Sequence, residues 1–105
     1  MIAMNKELFN SAISGDKPVL VEFWAPWCTY CRRIAPALSM IDTQYADRLT
    51  VAQVNIDEVP ALAEQEKIEL IPTMVVYKQG QAIGSIVAPD SKAKLEAFVQ
   101  ECLAK

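Results

Sequence analysis

The chain has 105 residues, ten basic and thirteen acidic, with a formal net charge of -3 and a hydrophobic fraction of 52%. This length supports one core, hence a single domain over residues 1–105; the apolar fraction excludes disorder, and the acidic balance argues against nucleic acid as the main partner. The longest apolar stretches, such as Leu70 to Tyr77, fall far short of the ~20 residues that cross a bilayer, and the N-terminus has no basic-then-apolar signal pattern, so a soluble, cytoplasmic protein with no membrane partner is expected.

In chain order, Leu8, Phe9, Ala12 and Ile13 recur at helical spacing behind a capping Asn5, which predicts a short helix from Met4 to Ser14. Gly15 to Pro18 break it, and Val19 to Trp24 then read as a strand buried on both faces. Glu22 lies inside that run, where a carboxylate is costly unless something uses or satisfies it. After Ala25, Pro26 and Trp27 the chain re-enters helical periodicity, with Cys28, Cys31, Ile34, Ala35, Leu38 and Ile41 on one face and Pro36 inside as a predicted kink. Thr50 to Asp57 reads as a strand and Val59 to Lys67 as a short helix with Pro60 in its first turn. Met74 to Tyr77 and Ile83 to Val87 form a hairpin about Gln79-Gly80-Gln81, and Ser91 opens a last helix carrying Leu95, Phe98, Val99, Cys102 and Leu103 on one face. The order is α-β-α-β-α-β-β-α. Helices between successive strands imply parallel crossovers and the hairpin adds an antiparallel edge, so an α/β fold with a central mixed sheet and helices on both faces follows.

The cysteines point to chemistry. Three of them with one close pair do not form the staple set of a small secreted domain. The absence of histidine removes histidine-dependent base, metal and triad schemes. Cys28 falls at the junction of a buried strand and a helix, where unpaired amides and the helix dipole favour a thiolate, the form that attacks disulfides. Cys31, three residues on, would resolve the mixed disulfide that Cys28 forms with a substrate. Arg32 could add to thiolate stabilisation, although paired arginines such as Arg32 and Arg33 most often form a solvated helix face. Four-ligand zinc would need further Cys or His, and only Cys102 remains; in register with Leu95, Phe98 and Val99, Cys102 reads as a packed core residue. Trp24 and Trp27 read as one packing residue and one groove wall.

Val21-Glu22-Phe23-Trp24-Ala25-Pro26-Trp27-Cys28-Thr29-Tyr30-Cys31 resembles the active-site segment of the thioredoxin family. Val51 to Asp57 resembles that family's central strand, Ile71-Pro72-Thr73 its cis-proline loop and Tyr77-Lys78-Gln79-Gly80 its hairpin turn, so the likeness covers essentially the whole chain. It implies a thioredoxin fold and a redox-active disulfide between Cys28, the attacking cysteine, and Cys31, the resolving one. It implies a cis bond before Pro72, and a substrate groove edged by Trp27, Ile71, Pro72, Val87 and Ala88. Thr29-Tyr30 stands where ordinary thioredoxins have Gly-Pro and is expected to tune the potential, making the disulfide more oxidising than the roughly -270 mV of thioredoxin. Glu22 stands at the family's buried aspartate and is similar to the glutamate of protein disulfide isomerase domains. Gln53 replaces the lysine that usually neighbours it, so desolvation should raise the Glu22 pKa and suit it to take a proton from Cys31. Ala88-Pro89 replaces a loop glycine followed by a small residue, which alters the partner surface.

The expected function is therefore a protein-disulfide oxidoreductase acting in electron transport and cell redox homeostasis, with no metal, no bound cofactor and a monomeric state. Protein disulfides would be its substrates, and a thioredoxin reductase-like protein or glutathione its electron donor. A glutaredoxin-like or isomerase-like enzyme, and a binding scaffold whose thiols are incidental, are the alternative expectations.

Overall fold

The computed structural model describes residues Met1–Lys105. Nine elements follow in order: β1 (Ile2–Ala3), α1 (Lys6–Ile13), β2 (Val19–Trp24), α2 (Thr29–Gln44), β3 (Thr50–Asn55), α3 (Pro60–Gln65), β4 (Thr73–Lys78), β5 (Gln81–Val87) and α4 (Lys92–Leu103). They build one five-stranded sheet with strand order β1-β3-β2-β4-β5. β1 and β2 both run parallel to β3, while β4 runs antiparallel to β2 and to β5. The mixed sheet follows the expectation from alternating strand and helix patterns, with one addition: β1 is two exposed residues, too short to leave a periodicity in the sequence.

Local chemistry sets the element ends. The Asn5 side-chain oxygen accepts the Leu8 amide at 2.8 Å and starts α1, the Ser91 hydroxyl accepts the Lys94 amide at 3.1 Å and starts α4, and Pro60 opens α3. α3 ends at Gln65, before the expected Lys67, because Lys67 turns into the left-handed region (φ 59°). β3 stops at Asn55, two residues early, where the Asn55 side chain accepts the Asp57 amide at 2.9 Å and closes a turn. The hairpin tip is Gln79-Gly80, both at positive φ, so Gln81 already belongs to β5. α2 runs on through Pro36, an exposed position.

Each face of the sheet carries its own core. Leu20, Met74 and Val76 meet Ile34, Leu38 and Ile41 of α2 and Leu95, Val99 and Cys102 of α4 on one face. Val21, Phe23, Ala52, Val54 and Val75 meet Phe9 of α1 and Leu62 of α3 on the other. The alternation along β2 puts Leu20, Glu22 and Trp24 on the α2 side and Val21 and Phe23 on the α1 and α3 side. β2 is flanked by β3 and β4, so its C-terminal end delivers the chain to the start of α2 from the centre of the sheet.

Candidate active site

At that junction Cys28 is the N-cap of α2 and forms a disulfide with Cys31 across a Cα–Cα distance of 5.2 Å. The first turn of a helix leaves amides without intrahelical acceptors; here the Cys31 amide donates to Cys28 Sγ at 3.1 Å. The local fold thus aims a backbone donor and the positive end of a sixteen-residue helix at one sulfur. Both cysteines are largely covered, Cys28 at 8% exposure and Cys31 at 3%, in a small cluster with Ala25 against which Trp24, Tyr30 and Ile71 pack. Thr29 faces solvent. Arg32 meets Cys28 through its backbone amide, which donates to the Cys28 carbonyl at 3.2 Å, and both Arg32 and Arg33 are exposed.

The cis-proline loop closes the other side. The Ile71–Pro72 bond is cis, Ile71 is half-buried and Pro72 buried, and Ile71 reaches the cysteine cluster. The Pro72 carbonyl is taken by the Ala88 amide at 2.8 Å, which ties the β5–α4 connection to the loop and holds Ala88 in the left-handed region (φ 45°). The Ile71 amide and carbonyl have no partner within the chain. Val87 pairs with Thr73 across the hairpin and is half exposed.

Asp57 and Leu70, both at this end, escaped the sequence reasoning. Trp27 stands 64% exposed, and its indole N–H donates to Asp57 Oδ2 at 3.0 Å, with Asp57 in turn held by the Asn55 turn. The asparagine two positions before Asp57 was the only signal of that tether. Leu70, also 64% exposed, reads in sequence only as the start of the apolar stretch that leads to Tyr77; nothing local distinguishes it from a core leucine.

Glu22 is 1% exposed in the middle of β2. Its Oε1 accepts from Gln53 Nε2 at 2.8 Å and its Oε2 has no partner. Desolvation raises its pKa from 4.5 to about 7, with the Gln53 hydrogen bond pulling the other way. It shares its strand face with Trp24, which packs on the cysteine cluster, and with Leu20, which packs with Ile34 and Leu38 of α2, so it sits under the first turns of that helix. Cys102 lies elsewhere, 2% exposed in the core beneath α4, and its thiol pKa is raised by burial. No cluster of acidic or cysteine side chains suited to a metal ion forms anywhere in the chain, and no helix is long and apolar enough to cross a membrane.

The sequence model of the thioredoxin family matches residues 1–101. The chain is 43% identical over 95 residues to a thioredoxin of Alicyclobacillus acidocaldarius, covering 90% of each chain. It is 47% identical over 94 residues to a thioredoxin of Acidithiobacillus ferridurans, covering 90% of this chain and 87% of that one. It is also 40% identical over 87 residues to part of a bifunctional thioredoxin reductase/thioredoxin of Mycobacterium leprae, covering 83% of this chain and 19% of that one.

Proposed function

The chain belongs to the thioredoxin family, whose members are protein-disulfide oxidoreductases working by dithiol–disulfide exchange, and from that premise we propose how its residues divide the work. Cys28 is the nucleophile. In the reduced protein its thiolate attacks one sulfur of a substrate disulfide, forming a Cys28–substrate mixed disulfide and expelling the other substrate sulfur as a thiolate. Cys31 then loses its proton and attacks Cys28 Sγ. The mixed disulfide breaks, the second substrate thiol leaves, and the Cys28–Cys31 disulfide carries the two electrons' worth of oxidation. The observation that carries this assignment is the Cys31 amide directed at Cys28 Sγ at the helix N-terminus, a donor that favours thiolate over thiol.

Glu22 is the acceptor of the Cys31 proton. A carboxyl with a pKa of about 7 is matched to a proton transfer near neutral pH, and its unpartnered Oε2 leaves room for the proton. Trp27, Ile71, Pro72, Val87 and Ala88 edge the groove, in which an extended substrate segment pairs with the free Ile71 backbone. Thr29 and Tyr30 tune the potential. Electrons return from a reductase of the thioredoxin reductase type, a reading supported by the natural fusion of the two activities in the Mycobacterium leprae relative. Such a cycle belongs to a reducing compartment such as the cytoplasm, and the working unit is the monomer.

Two variants test the assignment. Cys31→Ser should accumulate a mixed disulfide with a protein substrate through Cys28, seen as a dithiothreitol-sensitive mass increase, and Cys28→Ser should give none. Trapping through Cys31 in the Cys28→Ser protein would reverse the roles.

A further inference from the structure

We propose that the substrate groove continues past the cis-proline along an open shelf on β4 and β5, where the enzyme selects protein disulfides that carry a large apolar side chain a few residues from the target cysteine, with Leu70 as the specificity-determining residue. The proposal rests on the reading of Trp27, Ile71 and Pro72 as the groove.

The shelf arises because the two faces of the hairpin are covered unequally. On one face Ile83 and Ile86 of β5 pack with the α2 and α4 core. On the other, the cross-strand pairs Thr73–Val87, Val75–Ser85 and Tyr77–Ala82 are buried on their β4 members and exposed on their β5 members. The connection from Glu66 to Leu70 rises beside them as a wall, and between wall and strands lies a cavity of about 340 Å³. Thr73 to Tyr77 spans roughly 13 Å of strand, room for about four residues of extended peptide. The far end is closed by the Tyr77 hydroxyl, which donates to Glu66 Oε1 at 2.7 Å. The near end opens beside the cis bond, because Leu70 and Thr73 flank Ile71–Pro72 and the Thr73 hydroxyl donates to the Leu70 carbonyl.

The chemistry of the shelf names its occupant. Val75, Ala82 and Val87 supply its floor. Glu66 accepts bonds from the neutral Tyr77 and Gln65 side chains, and with Glu69 against Lys67 the lining holds two carboxylates and one ammonium, a slight negative balance that disfavours an acidic segment and leaves the apolar floor as the main attraction. Leu70 at 64% exposure and Val87 at 49% stand at its mouth, and an apolar side chain laid between them removes all three from water. Trp27, equally exposed, does not line this cavity. One flank of a bound substrate therefore runs toward Trp27 and the other onto the shelf.

The test uses the reduced full chain and three synthetic peptides cyclised by one disulfide: one with serine on both flanks, one with leucine three residues before the target cysteine, and one with leucine three residues after it. One of the two leucine peptides, and not the other, should be reduced with a kcat/KM about tenfold above the serine peptide. Leu70→Ala and the shelf-filling Ser85→Arg should each bring that ratio close to one, through KM, while Trp27→Ala slows all three peptides alike. Loss of the Trp27 effect would sink the groove reading itself. A Trp27 effect combined with an unchanged leucine ratio in both shelf variants would sink the shelf alone. A ratio that rises with protein concentration in step with dimer formation by sedimentation would instead make the shelf a contact between two copies of this chain.

Discussion

The same side chain meets opposite fates at the two ends of this molecule. Cys28 begins a helix at the end of a central strand, under a backbone amide, and is oxidised with Cys31. Cys102 lies in the last turn of α4, where the helix dipole disfavours a negative charge, and its sulfur is sealed against the backbone of Gly84. Burial raises its pKa, with Lys105 pulling it back down and Glu101 adding a smaller push upward. Cysteine reactivity in this chain is thus set by helix polarity and by what closes over the sulfur, and hardly by the residue type. The two ends also treat space differently: the active-site end leaves Trp27, Leu70 and Val87 in solvent, whereas beside Cys102 a cavity of about 440 Å³ opens but the sulfur itself lies so close to Gly84 that a methyl there would collide with it.

The strongest way to break the contrast is to ask the sulfurs directly. In the reduced protein at pH 7, iodoacetamide should modify Cys28 at least about a thousandfold faster than Cys102, since Cys102 reacts only through local opening and has little thiolate. Peptide mapping of a time course measures both rates, and comparable labelling would remove the distinction.

Next in size is the carboxylate beneath the active site. Glu22 has a folded pKa of about 7 against 4.5 for the free group, so its burial costs nothing while both states hold the proton, below about pH 4.5. The cost grows as pH rises through the window between 4.5 and 7, and is constant above it, reaching about 3 kcal/mol at 1.36 kcal/mol per pKa unit. Urea titrations of the oxidised protein should show stability falling across that window, and Glu22→Leu should flatten the profile while removing the rise in the rate of substrate reduction through pH 7. A parallel decline in both proteins would assign the pH dependence to another group.

At the Cys102 end, a Cβ on Gly84 would lie 2.7 Å from Cys102 Sγ and 3.3 Å from the Phe98 ring. Gly84→Ala should therefore destabilise by about 1–3 kcal/mol as overpacking, and the double variant with Cys102→Ala should recover most of the loss. Simple additivity of the two changes in denaturant midpoint would show that the sulfur is not the obstacle. The smallest expected effect concerns the potential. With Thr29-Tyr30 in place of Gly-Pro, the disulfide should be more oxidising than about -270 mV by some 30 mV, equivalent to about 1.4 kcal/mol. Equilibration in defined glutathione and dithiol buffers reads it, and a value at or below that of thioredoxin would leave the dipeptide without the tuning role.

Much of this was legible in the amino-acid order. Periodicity gave every helix and the four long strands, since each buries one or two faces against a core and must repeat accordingly. Cys28 and Cys31 declared themselves by spacing and by their place after a strand, and Glu22 by being a carboxylate among apolar neighbours. The failures were of a different kind. β1 has only two residues and exists because β3 offers it an edge. Asp57 matters through a tryptophan thirty positions away. Leu70 looks like core because hydrophobicity says nothing about whether a helix arrives to cover it.

The sequence alone therefore determined the local commitments of the chain: where it turns, caps, alternates and places two sulfurs at a helix start, all consequences of interactions within a few residues. The tertiary structure decided what those commitments face. Only the packing of α2 over β2 takes water from Glu22 and lifts its pKa, only the docking of Ala88 on Pro72 ties the β5–α4 connection to the cis-proline loop, and only the placing of the Glu66 to Leu70 connection beside β4 and β5 forms the shelf. Each of these depends on surfaces brought together from distant parts of the chain, and burial is a property of such assemblies that no single stretch of residues carries.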